Sequence, residues 1–66
     1  MIVKINGDPR EVPDGLTVST LLDFLEMRND RVAIEHNLKI LPRALWNETQ
    51  VRQNDAFEIV HFVGGG

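Results

Sequence analysis

Only one stretch of this chain carries an apolar stripe with helical spacing. Val18, Leu21, Leu22 and Leu25 recur at i, i+3, i+4 and i+7, the signature of an amphipathic helix that must bury one side. Ser19, Thr20, Asp23 and Glu26 largely occupy the opposite side, and Phe24 flanks the stripe. Thr17 is placed to cap the start, since its hydroxyl can accept from an otherwise unpaired backbone N–H. At the other end Arg28 complements the helix dipole, and Asn29-Asp30 supplies residues that tolerate the left-handed closing conformation. A single helix has nothing helical to pack against, so its partner must be a sheet.

The rest of the pattern supplies one. Met1, Val3 and Ile5 share a face of a first strand, alternating as a half-buried strand does. Asn6-Gly7 follows, a dipeptide suited to the positive φ angles of a tight hairpin. Arg10-Glu11-Val12 returns as a second strand, ended by Pro13 and the Asp14-Gly15 turn. After the helix, Arg31 to His36 reads as a strand with Val32 and Ile34 inward, Asn37 turns the chain, and Leu38 to Leu41 forms a short strand stopped by Pro42. Arg43-Ala44-Leu45-Trp46 fits one helical turn before an irregular crossing to Val51. Asn54-Asp55 marks another turn, and Phe57 to Val63 is the last strand. The expected class is α+β: one main helix across one face of a mixed four- to five-stranded sheet. Residues 1–63 form the domain, and Gly64-Gly65-Gly66 a flexible tail.

With 66 residues, such a domain buries only about 60% of the surface its unfolded chain exposes, so its core is thin. The chain has no cysteine, which excludes disulfides, thiolate metal sites and iron–sulfur clusters, and it cannot hold a persulfide itself. Its formal net charge of −3 and scattered basic residues argue against nucleic-acid binding, which calls for a basic patch. No apolar run approaches the roughly 20 residues that span a bilayer. The first residues lack the basic flank and apolar core of a signal peptide, so the expected location is the cytoplasm.

The end of the chain carries the chemistry. Phe62-Val63-Gly64-Gly65-Gly66 places three glycines after an apolar run. Residues without Cβ atoms can extend into a narrow channel and adopt backbone angles that others avoid. An α-carboxyl titrates near about 3.5 and is ionised at neutral pH, so the terminal carboxylate can attack an activated phosphate. The bland alternative is a frayed terminus.

Two segments carry a family resemblance that covers nearly the whole chain. Asn37-Leu38-Lys39-Ile40-Leu41-Pro42-Arg43-Ala44-Leu45-Trp46 shows Asn, a short apolar strand, Pro-Arg and then an aromatic residue. Asp55-Ala56-Phe57-Glu58-Ile59-Val60-His61-Phe62-Val63-Gly64-Gly65-Gly66 shows a final strand running into glycines. With this length and element order, the chain resembles the ThiS family, bacterial sulfur carriers of thiamin-thiazole biosynthesis with a ubiquitin-like β-grasp fold. The resemblance implies that the first and last strands are neighbours at the sheet's centre. It also implies a protein co-substrate rather than an enzyme. A ThiF-like adenylyltransferase, using ATP and Mg²⁺, would convert the Gly66 carboxylate to an acyl adenylate. Sulfur from a cysteine desulfurase would then displace AMP and leave a thiocarboxylate, which a ThiG-like thiazole synthase consumes. Gly66 is the reacting residue, and Gly64 and Gly65 give reach and clearance. No cofactor or metal is expected on the chain itself.

A partner surface follows from strand parity. Val60 and Phe62 lie on the face of the last strand opposite Phe57 and Ile59, and exposed apolar groups near a reactive tail are candidate anchors. Val63 continues the segment, Ile2 and Ile40 are expected to extend the patch, and Arg43 is a further candidate, for a partner acid or a local carboxylate. Trp46 reads as a plug over the core. His36 and His61 lack the converging ligands a metal needs, and His61 reads as a hydrogen-bonded strand histidine. Glu26, Glu35, Glu48 and Glu58 read as solvated. Three alternatives remain: a carrier like the small subunit of molybdopterin synthase, a ubiquitin-like modifier joined to lysines through Gly66, and a non-covalent binding module with an inert tail.

Overall fold

The computed structural model describes residues 1–27 and 31–62. Five strands form one sheet. They are β1 (Ile2–Ile5), β2 (Asp8–Glu11), β3 (Val32–His36), β4 (Lys39–Ile40) and β5 (Ala56–His61). The helix α1 (Val18–Phe24) follows β2, and a 3₁₀ turn spans Arg43–Leu45. The strand order is β2-β1-β5-β3-β4. β1 and β5 run parallel, with Lys4 beside Ala56, and the remaining pairs are antiparallel. The first and last strands are therefore neighbours in the interior of the sheet, as the family resemblance implies.

Both hairpins close through two residues of positive φ, the geometry that matches strand twist. Asn6 and Gly7 stand at φ 51° and 88°, Asn37 and Leu38 at 51° and 72°. Leu38 therefore belongs to the turn and not to the short strand expected from Leu38 to Leu41, which is reduced to Lys39–Ile40. Asparagine accepts this conformation readily, whereas a leucine in it is an outlier. The second strand also starts earlier than the sequence suggests and includes Pro9. It lies at the sheet edge, where a missing N–H costs no ladder bond.

The helix starts as expected. Thr17 Oγ1 accepts from the Thr20 amide at 3.3 Å, and Thr20 Oγ1 accepts from the Thr17 amide at 2.8 Å. The amides of Val18 and Ser19 donate to the carbonyls of Thr49 and Trp46, so the crossing segment satisfies the first turn. The end comes sooner than the stripe suggests. Glu26 takes φ 59°, and the amides of Met27 and Glu26 donate to the carbonyls of Leu22 and Asp23. That pairing is a Schellman closure built on a glutamate instead of glycine. Arg28 and Asn29-Asp30, expected at this terminus, lie outside the described residues.

Val3, Ile5, Val18, Leu21, Leu22, Val32, Ile34, Phe57 and Ile59 form the core, joined by Val12, Val51 and Trp46. Trp46 is buried, and its Nε1 donates to the Leu41 carbonyl at 3.0 Å. The indole is thus the plug that the sequence suggests. Among the described residues no helix is long and apolar enough to cross a membrane.

Candidate functional site

One helix covers one face of the sheet, and the other face is left to solvent. Strand parity places Val60 and Phe62 on that outer side, 57% and 51% exposed, while Phe57 and Ile59 point into the core. The Phe62 amide donates to the Arg31 carbonyl at 3.0 Å, holding the strand to its last described residue. Val63, Gly64, Gly65 and Gly66, the remainder of the expected site, lie outside the described residues.

The outer face does not unite all the expected anchors. Ile40 belongs to it, 78% exposed and opposite Glu35, but Ala33 and Glu35 on β3 stand between Ile40 and β5. Ile2 is also exposed, yet its carbonyl accepts from the Asn54 amide, which sets it at the opposite end of the sheet. At roughly 3.3 Å per strand residue, that is about 20 Å from Val60. Ile2 instead lines a shallow depression of about 370 Å³ with Lys4, Pro9 and Ala56. It does not extend the Val60–Phe62 patch: parity puts a residue on a face, and only the register locates it along the strand.

Arg43 forms no salt bridge with a local carboxylate among the described residues. Its guanidinium carbon stands 4.6 Å over the Trp46 ring, a cation–π contact. His61 is exposed at the end of β5 and makes no side-chain hydrogen bond among the described residues, so the hydrogen-bonded histidine is His36 and not His61. His36 stacks on Phe57 with centroids 4.9 Å apart, and its Nε2 lies 3.0 Å from Asp55 Oδ2.

The sequence marks Asp55 only as a turn residue. In the fold it is 8% exposed and gathers three donors: His36 Nε2, the Arg52 amide at 2.9 Å and Asn37 Nδ2 at 3.1 Å. Burial alone pushes its carboxyl up. The Arg52 amide, the His36 and Asn37 side chains and the His36 charge together outweigh that penalty and hold it below its ordinary value. Asn37 completes the knot by accepting from the Ala56 amide at 2.9 Å. Asn6 does the same for the far end of β5, donating to the Ile59 carbonyl at 3.1 Å and accepting from its amide at 2.7 Å. Two turn asparagines thus fix β5 between its neighbours.

Five mixed strands crossed by one helix, with the first and last strands parallel neighbours, define a ubiquitin-like β-grasp domain. Its uncovered sheet face turns apolar where the last strand ends. Within that class the chain belongs to the ThiS family, whose sequence model matches residues 3–66. The sulfur carrier protein ThiS of Bacillus subtilis is 35% identical over 66 residues, covering 98% of this chain and 100% of that one. The crystal structure of the thiamine biosynthesis protein ThiS from Geobacter metallireducens is similar with a TM-score of 0.85 and 35% identity, over 100% of both chains. The thiazole synthase of Paramagnetospirillum magneticum is 39% identical over 66 residues, but this chain spans only 20% of that protein's length.

Proposed function

We propose that this chain is a sulfur carrier of thiamin-thiazole biosynthesis and acts through the carboxylate of Gly66. The observation that carries this reading is the family match through the glycine run, supported by the likeness to the Bacillus carrier over its full length. In the proposed cycle a carboxylate oxygen attacks the α-phosphorus of ATP bound with Mg²⁺ on a ThiF-like adenylyltransferase, and pyrophosphate leaves. The terminal sulfur of a persulfide, supplied by a cysteine desulfurase, attacks the acyl carbon and AMP leaves. A thiol then cleaves the acyl disulfide and leaves the thiocarboxylate, which a ThiG-like thiazole synthase uses. With no cysteine, the chain offers no thiol of its own to compete for the sulfur.

The outer sheet face is the proposed docking surface for these enzymes. Val60 and Phe62 supply desolvated contact area close to the reacting end, where a buried aromatic anchor contributes most. Gly64 and Gly65 let the end enter a channel without side-chain obstruction. The likeness to a segment of a thiazole synthase supports that enzyme as a partner.

The test is intact-mass measurement after incubation with the adenylyltransferase, ATP–Mg²⁺ and a sulfur source. We expect a gain equal to replacing one oxygen by sulfur, and no gain when Gly66 is deleted, with the thermal melt unchanged. Equal thiazole formation by the truncated chain would overturn the reading.

A further inference from the structure

Glu35 and Glu58 stand directly opposite each other on β3 and β5, both exposed on the uncovered sheet face. Like charges in this cross-strand position repel and weaken the pairing. Among the described residues, neither forms a salt bridge. The basic positions on the same face are displaced along the strands. Lys4 pairs with Ala56 rather than with Glu58, and Arg31 lies at the Phe62 end, where its carbonyl accepts from the Phe62 amide. The acid pair is bordered by apolar groups: Val60 and Ala33 follow it toward the end of β5, and Ile40 adjoins Glu35 on the far side. Two carboxylates without a salt-bridge partner among the described residues thus sit between apolar neighbours, Val60 and Ala33 on one side and Ile40 on the other.

Resting on the sulfur-carrier reading, we propose that this face docks onto a thiazole synthase surface presenting a basic side chain within an apolar patch. The cation would meet the Glu35–Glu58 pair while Val60 and Phe62 fill the apolar surround. Charge complementarity selects this occupant. A second copy of the chain, applied face to face with the acid pairs superposed, would bring four carboxylates together. A wholly apolar partner would strand two buried charges, which is costlier than leaving them in water. A cation opposite the pair relieves the repulsion already present in the free chain, so docking removes an unfavourable term as well as adding a favourable one. Thiazole synthase is favoured because a relative of this chain forms part of a thiazole synthase polypeptide, so domain and enzyme operate at close quarters.

The experiment measures the affinity of the full chain for the cognate thiazole synthase at low and high salt, comparing wild type with Glu58→Lys and Glu35→Gln/Glu58→Gln. Wild-type binding should weaken as salt rises. Glu58→Lys should weaken it by about tenfold at low salt, since a reversed charge meets the partner's cation with repulsion in place of attraction, and the double glutamine variant should lose most of the salt dependence. Melting temperature serves as the folding control. The Glu58→Lys change sets an attractive partner opposite Glu35, and the glutamine variant removes the repulsion without adding charge, so neither should melt earlier. Unchanged affinity and salt dependence in both variants would overturn the proposal. A charge effect confined to adenylyltransferase binding would overturn the assignment of the occupant. Sulfur loading by mass, run in parallel, separates the two readings: loading with no charge effect sinks the docking proposal alone. A charge effect on synthase binding without loading leaves docking standing and sinks the carrier reading.

Discussion

Replacing Asp55 with alanine should destabilise the domain by about 3 kcal/mol. The figure follows from where its three donors stand. The Arg52 amide loses a partner at 2.9 Å beside a carboxylate that is nearly buried, and a stranded buried donor costs about 1–3 kcal/mol. Asn37 is exposed and the His36 side chain retains 21% of its surface, so water can replace their bonds in part, and each loses about 0.5–1 kcal/mol. Against a total stability of about 3–10 kcal/mol for a chain of this size, the loss is large, and the melting temperature should fall by at least about 12 °C. Asp55→Asn keeps an acceptor for the Arg52 amide but turns a donor toward Asn37 or His36, and should cost about 1 kcal/mol. Urea unfolding followed by the fluorescence of buried Trp46 measures both. A loss below about 0.5 kcal/mol for the alanine variant, or equal losses for the two, would refute the view that the carboxylate organises this corner.

The same carboxylate gives a signed pH dependence. Its folded-state value is held below the ordinary 3.8, so the folded state binds the proton less readily than the unfolded state. The contribution is therefore fully present above the unfolded value and is lost as pH falls through the folded one. The stability gap between wild type and Asp55→Asn should close on acidification below pH 3.8. A gap that widens below pH 3.8 would contradict the assignment.

Substituting Phe62 with Asp places a charge in the exposed apolar patch and should weaken adenylyltransferase binding by tenfold or more without altering the melt, as calorimetric titration will register; unaltered affinity removes Phe62 from the interface. Glu26→Gly relieves a left-handed conformation that costs an L-residue about 1–2 kcal/mol, offset in part by the looser unfolded chain, and should stabilise the domain by about 0.5–1 kcal/mol. A destabilised Glu26→Gly variant in urea titration would show that the glutamate side chain contributes more than its backbone strain costs.

The elements that the sequence disclosed are those fixed by periodicity. The stripe Val18-Leu21-Leu22 and the alternation through Val3-Ile5, Val32-Ile34 and Phe57-Ile59 each specify a buried side, and the core contains all of them. Its errors arose where a backbone state was set by tertiary contact. Nothing local marks Glu26 as the residue that closes the helix, because the usual glycine is absent. Leu38 reads as strand because it is apolar, yet it occupies the turn because Asn37 is fastened to Asp55 and Ala56. Asp55 reads as a turn former, and its donors His36 and Asn37 come from a different hairpin. Likewise parity alone sets Glu35 and Glu58 outward. Their meeting appears only once β3 and β5 are in register.

That register also bears on the end that the sulfur-carrier reading makes reactive. β5 is bonded on both sides, to β1 and β3, and side-chain amides of Asn6 and Asn37 reinforce its backbone at Ile59 and Ala56. An end leading from an edge strand could be drawn into a partner's channel by peeling that strand away, at the cost of one ladder. Drawing Val60 and His61 from β5 would break their pairing with β3, and drawing further would also break the Asn6 bonds to Ile59 and the β1 ladder at Phe57 and Ala56, uncovering Ile59 and Phe57 from the core. On the sulfur-carrier reading, the reach of the end without loss of strand pairing is therefore set by the residues beyond Phe62, which are Val63 and the glycine run. Lengthening that run would change reach without changing the fold, whereas shortening it would leave the docked domain unable to deliver its end.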